Sequence, residues 1–424
     1  MDSHAAIVGA QLRAAREAAG VSLAALAGQI HRGKSTLAYY ETGERTPPPD
    51  LVASYETRFG GLRDPAATLA DLGKADVERR AFLRGGYSTA LSASVLLPGW
   101  LDTPTPAIRA QSAIRHVGSS DVAEVRNVIT LFSQIEQRMG GGHGRRAVVQ
   151  YLSSEVVAFL NGTYTDDAVR RGMFSAAAEM AYLAGWMAFD NDEHSPAQRY
   201  FATATKLAAE AHDAPLTGHI LRAMAHQAID LGHPDEGLAL AEASVEGPRY
   251  SKATPREKAL LKVVHAKALS SAGRPSEAAK AVLVAEQDLA AASSAIPEPS
   301  RVFFFTEASL AHETACVLRD SGDLAGAAVQ FDRSVRKRKA QAFARTHAVT
   351  LGYLGAVQAR QGDLELACET WKAAMRSMGR VQSGRTRAVA RDIRDAVSPH
   401  LGSTVAGFAE VDAQASEYLQ AHGK

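Results

Sequence analysis

The sequence predicts an all-α chain, and three observations lead to that fold class. Alanine is abundant, runs of β-branched residues are scarce, and no segment keeps the alternation of apolar and polar residues typical of a half-buried strand. Tight-turn signals instead separate segments whose apolar residues repeat at helical spacing. At 424 residues the chain is long for one domain, so two or three domains are expected.

Charge and cysteine content exclude several classes of protein. The formal net charge is +1, so a nucleic-acid or membrane partner would have to be recognised by a local patch of the surface. Cys316 and Cys368 are too few for a disulfide framework and are expected to be small buried residues. No apolar run approaches the ~20 residues of a spanning helix, so no membrane partner is expected.

The first sixty residues carry four short helical segments. Apolar spacing and turn residues predict helices at 7–19, 22–30, 34–42 and 50–59. Ser22 can cap the second helix, and three prolines precede the fourth. The third helix exposes polar residues at its start and buries Leu37 and Tyr40, a geometry that fits a DNA major groove. The periodicity alone is equally compatible with any small helical bundle.

The residue pattern of this segment closely resembles the Cro/repressor-like helix-turn-helix family, also called the xenobiotic-response-element family, over residues 7–60. The matching residues are Leu12-Arg13 with Arg16, then Ser22-Leu23-x-x-Leu26-Ala27, then Ser35-x-Leu37-x-x-Tyr40-Glu41-x-Gly43-x-Arg45-x-Pro47. Two positions depart from the family pattern. His31 stands where glycine is common in the turn, and Leu23 stands where many relatives carry a phosphate-binding glutamine.

The resemblance implies a double-stranded DNA partner and assigns five contact residues. Lys34, Ser35 and Tyr39 stand where family members touch base edges. Arg32 and Arg45 flank that helix and would contact phosphates, which position the domain without reading sequence.

The resemblance also assigns a structural role to Arg16 and Glu41, which match a pair that forms an internal salt bridge in the family. Residues 1–63 carry only about one more positive than negative charge, so the affinity of a monomer for DNA should be modest. We therefore expect a homodimer on a two-fold site.

A twin-arginine export signal is the alternative interpretation of the next segment. Arg79-Arg80 precedes Phe82-Leu83 and a fairly apolar run, as in such signals. Export signals lie at the extreme N-terminus, whereas these arginines follow a complete domain. The run at 87–97 is short and carries four serine or threonine side chains, which is more typical of an amphipathic helix. We therefore expect a cytoplasmic protein.

From about residue 108 onward one pattern recurs: a helix rich in small residues, a tight turn and a second helix. The turn glycines are Gly232, Gly273, Gly322 and Gly362, at intervals of 41, 49 and 40 residues. Such periods predict a solenoid of helical hairpins. The Gly-Asp-Leu-x-x-Ala turns resemble tetratricopeptide repeats, with a spacing above their ~34-residue consensus. The predicted organisation is a helix-turn-helix domain at 1–63, a helical connector at 64–107 and tetratricopeptide-like repeats at 108–424.

A helix-turn-helix followed by such repeats resembles a group of actinobacterial regulators and, more distantly, the peptide-sensing regulators of Gram-positive bacteria. The peptide sensors clamp their ligand with asparagines, but Asn127, Asn161 and Asn191 are the only asparagines of this sequence and lie outside the four clear repeats. This distribution argues against a pocket that clamps a peptide backbone.

Aromatic residues concentrate in one hairpin, at Tyr182, Trp186, Phe189, Tyr200 and Phe201. They either pack in the core or line an apolar effector pocket on the concave face. The candidate effector-binding residues are Tyr182, Trp186, Arg222 and His226, for a small-molecule or peptide effector.

Two other patterns admit a functional and a structural interpretation. His212, His219, His226 and His233 recur every seven residues, but that step is about 10.5 Å along a helix, so we attribute the spacing to chance and predict no metal site. The basic run 333–345 is either a solvated helix face or an additional phosphate contact.

The sequence lacks phosphate-binding glycine loops, zinc motifs and nucleophile elbows, so neither an enzyme nor a cofactor is expected. The leading hypothesis is a transcriptional regulator whose helix-turn-helix domain binds operator DNA as a dimer and whose repeats sense an effector. The alternative is an interaction scaffold whose repeats hold a protein partner, with the helix-turn-helix acting only as a DNA tether.

Overall fold

The fold is that of a computed structural model, which describes residues 9–10, 12–13, 15–17, 21–59, 64–78, 86–96, 100–101, 115–293, 295–401 and 407–423. Over these residues the chain is all-α apart from one pair of two-residue strands, so the predicted fold class is confirmed. Among the described helices, none has both the length and the apolar character needed to cross a bilayer.

The N-terminal domain contains three short helices: α1 (Leu23–Gln29), α2 (Lys34–Glu41) and α3 (Pro49–Phe59). Their bounds agree with the predicted ones to within one residue, while the first predicted helix, at 7–19, lies partly outside the described residues. Ser22 Oγ accepts a hydrogen bond from the Ala25 backbone N at 3.1 Å and so caps α1. The core consists of Leu12, Leu26, Ala27, Leu37, Leu51, Tyr55 and Phe59.

The described parts of the predicted connector form helices α4 (Pro65–Glu78) and α5 (Thr89–Val95). Both helices bury apolar residues in the core of the larger domain. Trp100 Nε1 donates to Thr205 Oγ1 at 3.1 Å, which anchors the segment to the repeats. Arg79-Arg80 lies outside the described residues.

The larger domain opens with a helical layer: α6 (Ser119–Met139), α7 (Arg145–Tyr151) and α8 (Val157–Leu160), the last two joined by a π-helical turn at Leu152–Val156. Strands β1 (His116–Val117) and β2 (Thr163–Tyr164) flank this layer and pair in parallel.

Six helical hairpins follow within the described residues, and the first helix of each hairpin faces the centre of the domain. They are α9 (Asp167–Asp190) with α10 (His194–Glu210), α11 (Ala214–Asp230) with α12 (Pro234–Ser244), α14 (Pro255–Ser271) with α15 (Pro275–Ala290), α16 (Glu307–Asp320) with α17 (Leu324–Lys337), α18 (Ala344–Gln361) with α19 (Leu364–Met378), and α20 (Gly384–Val397) with α21 (Phe408–His422). A single-turn helix, α13 (Pro248–Ser251), and two short 3₁₀ turns, at Ser300–Val302 and Ser398–His400, complete the fold.

The four predicted turn glycines lie at the turns of the second to fifth hairpins. Gly232, Gly273, Gly322 and Gly362 have φ values of +79°, +74°, +90° and +94°. A side chain strains the backbone in this left-handed region, which is why glycine marks these turns. Asp192, with φ at +66°, occupies the same place in the first hairpin, 40 residues before Gly232.

The ends of the stack of hairpins come together. Helix α6 packs against both α9, in the first hairpin, and α18, in the fifth. Gln382, just before the last hairpin, donates its backbone N to Met139 O at 2.7 Å and accepts from Gly142 N at 2.9 Å. The first helices of the hairpins therefore line a common central space.

Candidate nucleic-acid interface and a buried chamber

Helix α2 presents a polar, exposed face at its N-terminal half. Lys34 and Ser35 are exposed on its first turn, and Tyr39, 43 % exposed, lies one turn beyond Ser35 on the same face. Leu37 is fully buried on the opposite face. The three residues assigned to base contact are thus available together on one helix surface.

The two arginines assigned to phosphate contact flank this helix. The Arg45 guanidinium lies 5.4 Å from the centroid of the Tyr39 ring, and the Arg45 backbone N donates to Tyr39 O at 3.1 Å. Arg32 forms an ion pair with Asp50 at the surface. Such exposed pairs contribute only about 0–1 kcal/mol, so a phosphate can replace Asp50 at small cost.

A buried polar cluster holds α2 in place. Arg16 forms two hydrogen bonds to Glu41, both of 2.7 Å, and the Tyr55 hydroxyl donates to Glu41 Oε1 at 2.8 Å. Arg16 also donates to Val21 O at 2.9 Å. The hydrogen bond to Glu41 raises the pKa of Arg16, and burial raises the pKa of Tyr55. This cluster ties the first helical segment to the end of α2 and to α3.

The two departures from the family pattern have structural explanations. His31 adopts the left-handed conformation, with φ at +52°, that the turn before α2 requires. Leu23 is half-buried and packs against the core of the domain, so its side chain contributes to packing instead of the missing phosphate contact.

The inner helices of the larger domain enclose a cavity of about 60 Å³, here called the central chamber. Its lining combines four arginines with aromatic and aliphatic side chains. The lining residues are Gln137, Trp186, Arg222, His226, Leu260, Val264, Phe304, Phe305, Ser309, His312, Glu313, Arg338, Arg345, Thr346, Val349 and Arg385.

Three of the four candidate effector residues line the central chamber. Trp186, Arg222 and His226 are buried at its wall. Tyr182 lines an adjoining smaller cavity instead, and its hydroxyl accepts a hydrogen bond from Arg222. The aromatic residues of this hairpin therefore serve both purposes: Trp186 and Tyr182 line cavities, whereas Tyr200 is fully buried in the core.

Arg222 is a buried cation without a carboxylate partner among the described residues. It is 2 % exposed, and its hydrogen-bonding neighbours are the Tyr182 hydroxyl and His219 Nε2, the latter at 3.1 Å. The Trp186 ring centroid lies 5.2 Å from the guanidinium, and the Arg222 Nε has no hydrogen-bond partner.

Arg338 is a second buried cation of this kind. Its guanidinium donates to Ala308 O at 2.9 Å and to Ser334 Oγ at 3.1 Å, and no described carboxylate lies within ion-pair distance. The Arg338 Nε has no hydrogen-bond partner. Burial, together with the nearby Arg345, lowers the pKa of Arg338 to about 10.

Sequence reasoning missed Arg338 because it lies in the basic run 333–345. Arg333, Arg336 and Lys337 of that run are indeed exposed on α17. Helix α17 ends at Lys337, and Arg338 continues in extended conformation, so its side chain leaves the solvated face and enters the chamber. A helix end after Lys337 was the only signal, and the basic pattern concealed it.

The other two chamber arginines are paired with acids. Arg345 contacts Glu136 at 3.0 Å and Asp190 at 3.1 Å, all deeply buried. Burial raises the pKa of Glu136 to about 7. Arg385 lies 3.3 Å from Asp230, which also accepts a hydrogen bond from Lys267 at 2.8 Å.

The regularly spaced histidines do not converge. His219 Nδ1 lies 3.2 Å from Glu257, whereas His226 Nε2 lies 3.2 Å from Lys267 Nζ. Burial, reinforced by Arg222, lowers the pKa of His219 to about 3, so its imidazole is neutral. No group of three or more potential metal ligands occurs within the described residues.

Comparison with known proteins identifies one domain. The profile of a helix-turn-helix domain family matches residues 7–69, which include α1, α2 and α3. No curated protein and no solved structure gives a significant match to the chain. The chain therefore carries an N-terminal helix-turn-helix domain followed by a region of repeated helical hairpins.

Proposed function

We propose that this chain is a sequence-specific DNA-binding transcriptional regulator whose helical-hairpin region senses an effector. One observation carries the proposal: α2 exposes Lys34, Ser35 and Tyr39 on a single face, while Arg16 and Glu41 fix that helix from within the core. A helix held in this way can enter the major groove with its orientation already fixed.

The proposed base contacts follow from the side-chain chemistry of α2. Lys34 donates to guanine acceptors, Ser35 can donate or accept, and Tyr39 offers ring contact and a hydroxyl. Arg32 and Arg45 would bind the flanking phosphates. A domain with so little excess charge gains affinity by binding as a homodimer, with half-sites one turn apart, about 34 Å.

The hairpin region is proposed to carry the regulatory signal. An effector changes DNA affinity only when it binds two conformations of the protein unequally. The central chamber supports this role because it is buried, partly polar and surrounded by the inner helices of successive hairpins. We assign the domain to the Cro/repressor-like family and the hairpins to the tetratricopeptide type within the same proposal, which includes no catalytic step and no cofactor.

The scaffold alternative receives less support from the arrangement of the hairpins. A solenoid that holds a protein partner presents an open concave surface. In this chain the first and last hairpins meet through α6 and Gln382, and the inner surface encloses a chamber instead.

The test is DNA binding by the full chain. Selection from randomised duplexes, with the DNA upstream of its own gene as a second source, supplies a binding site for gel shifts and footprinting. We expect a protected two-fold site. Replacing Lys34 and Tyr39 together by alanine should weaken specific binding at least 10-fold, since a good base contact contributes ~1–3 kcal/mol. Arg45→Ala should instead weaken the binding of all sequences similarly and reduce the salt slope of the dimer by about two, one for each subunit.

A matched control removes a charge elsewhere. Lys280→Ala changes an exposed lysine of α15 and should leave DNA binding unaltered. Specific binding by the Lys34→Ala, Tyr39→Ala variant at wild-type strength would refute the proposed reading helix.

A further inference from the structure

We propose that the central chamber binds a short-chain monocarboxylate, whose carboxylate is held between Arg222 and Arg338. This inference deepens the proposed function, on which its regulatory meaning rests, by giving the chemical class of the effector.

Two unpaired guanidinium groups in one buried cavity carry the inference. Burying a cation is costly unless a counter-charge or a full set of hydrogen bonds compensates it. Arg222 is 2 % exposed and Arg338 is 8 % exposed, and neither has a carboxylate within ion-pair distance among the described residues. Protein groups therefore leave both cations undercompensated, and an anion in the chamber supplies what is missing.

All four chamber arginines have an Nε without a hydrogen-bond partner, but the other two have carboxylate partners. Arg345 already contacts Glu136 and Asp190, and Arg385 contacts Asp230. The contrast between paired and unpaired arginines in one cavity distinguishes a binding position from a general accumulation of positive charge.

The charge balance favours a ligand with a single negative charge. The chamber arginines together with Lys267 provide five cations, and the four carboxylates that pair with them or face the chamber are Glu136, Asp190, Asp230 and Glu313. One positive charge is left over above pH 7, where Glu136 is ionised. Glu313 is held ionised, since His226 and Lys267 overcome its burial and lower its pKa to about 2. A dianion would exceed the available charge and be repelled by Glu313.

The size and lining of the chamber indicate what the ligand carries besides its carboxylate. A water molecule requires ~10–15 Å³, so a cavity of about 60 Å³ suits a small ligand. Leu260, Val264 and Val349 supply aliphatic contact on the wall. A carboxylate with a short aliphatic chain satisfies both the charged and the apolar parts of this lining.

Calorimetric titration of the full chain tests the inference with acetate, propionate and butyrate as probes. Butyramide serves as the neutral match for butyrate, and inorganic phosphate at pH 8.5, where it is almost entirely doubly charged, serves as the dianion. We expect saturable binding of at least one acid, with butyramide and phosphate at least 10-fold weaker. If no acid binds more tightly than butyramide, or if phosphate binds best, the inference is wrong.

Arg338→Met separates binding from structure. The Ala308 carbonyl would still accept a hydrogen bond from Ser334 Oγ, which lies 2.6 Å away, so the loss of Arg338 leaves no orphaned acceptor there. Removing an undercompensated buried cation should leave the free protein at least as stable, with an unchanged circular dichroism spectrum. The Kd for the acid should rise roughly 10- to 100-fold, as expected for a lost charge-assisted hydrogen bond.

Two further variants complete the design. Arg222→Met should raise the Kd of the acid by a similar factor. Arg333 is an exposed arginine in the same basic run as Arg338, and Arg333→Met should leave the Kd of the acid unchanged. If Arg333→Met and Arg338→Met weaken binding of the acid equally, the effect comes from the net charge of the protein and the assigned site is refuted.

Gel shifts with and without the acid then distinguish this inference from the proposed function. Binding of the acid without any change in operator affinity would keep the site and remove its regulatory role. Failure to bind any DNA would refute the proposed function, and the calorimetric result would still decide whether the chamber takes a monocarboxylate.

Discussion

Arg345→Met is expected to be strongly destabilising, because this residue joins three separate helices. Arg345, at the start of α18, contacts Glu136 of α6 at 3.0 Å and Asp190 of α9 at 3.1 Å. All three side chains are at most 4 % exposed. Methionine fills a similar volume but leaves two buried carboxyl groups without their cation.

The size of the effect follows from that burial. Breaking a buried ion pair by removing one partner costs about 3–5 kcal/mol, because the remaining charge is left uncompensated. At about 2.1 cal/mol/K per residue, a region of roughly 300 residues changes its Tm by about 1.5 °C per kcal/mol, so we expect a decrease of roughly 5–8 °C. The amides of α6 should also lose protection in hydrogen exchange, since α6 is held by this contact.

The pH dependence gives a second signature. Burial raises the pKa of Glu136 to about 7, above its ordinary value of 4.5. A carboxyl group with a raised folded-state pKa lowers stability as pH rises from 4.5 to that pKa, because the unfolded chain ionises first. Without Arg345 this pKa should rise further, so the difference between variant and wild type should widen from pH 6 to pH 8.

Glu136→Gln is the matched control. It removes one charge while Arg345 keeps Asp190, and its amide oxygen can still accept from Arg345 and from Trp186 Nε1, which lies 3.1 Å from Glu136 Oε1. Glu136→Gln should lower the free energy of unfolding by no more than about 1 kcal/mol at pH 6, where the wild-type carboxyl is already largely protonated. Equal losses in the two variants, or a loss below about 1 kcal/mol for Arg345→Met, would refute the buried-pair argument.

Two further predictions concern other buried pairs. Arg16→Met should lower the Tm of the helix-turn-helix domain, because breaking the buried contact to Glu41 costs ~3–5 kcal/mol. Arg13→Met, which breaks an exposed contact, should cost under about 1 kcal/mol. Equal Tm values for the two variants in a thermal melt would contradict this. Burial opposes ionisation of Glu257, but Arg301 outweighs it and lowers the pKa to about 2. Ionised Glu257 therefore contributes roughly 3 kcal/mol of stability, which is present above pH 4.5 and lost as pH falls toward 2. The Tm should fall steeply below pH 4.5, and a flat profile of Tm against pH there would contradict this.

The local elements were predictable because their signals are local. Gly232 and its three successors mark the hairpin turns because the left-handed backbone at those positions excludes most side chains. The first hairpin has Asp192 at the same position. Aspartate tolerates the left-handed conformation, but its presence in a sequence does not indicate that conformation. The turn was therefore recognisable only from the 40-residue interval to Gly232.

The chamber could be predicted only in part, because it depends on contacts between distant segments. Trp186 and Arg222 were identified as candidates from the sequence, and the structure places both at the chamber wall. Arg338 was not identified, since a basic run gives no indication of where its helix ends. The contact between residues 136–142 and residues 382–387, which closes the stack of hairpins, has no local sequence signal at all.

The positions of Arg222 and Arg338 indicate how a small anion could act over a distance. Arg222 lies on α11 of the second hairpin, and Arg338 follows α17 of the fourth, so an anion that binds both would link hairpins two repeats apart. Shifting a two-state equilibrium from 1:99 to 99:1 requires a difference of about 5.5 kcal/mol. Two charge-assisted contacts of ~1.5–3 kcal/mol each sum to ~3–6 kcal/mol, so they reach that value only if both are strong and both are lost in the other conformation. A change in the curvature of the stack would separate the two arginines and break both contacts together, so each single variant should remove most of the regulatory effect.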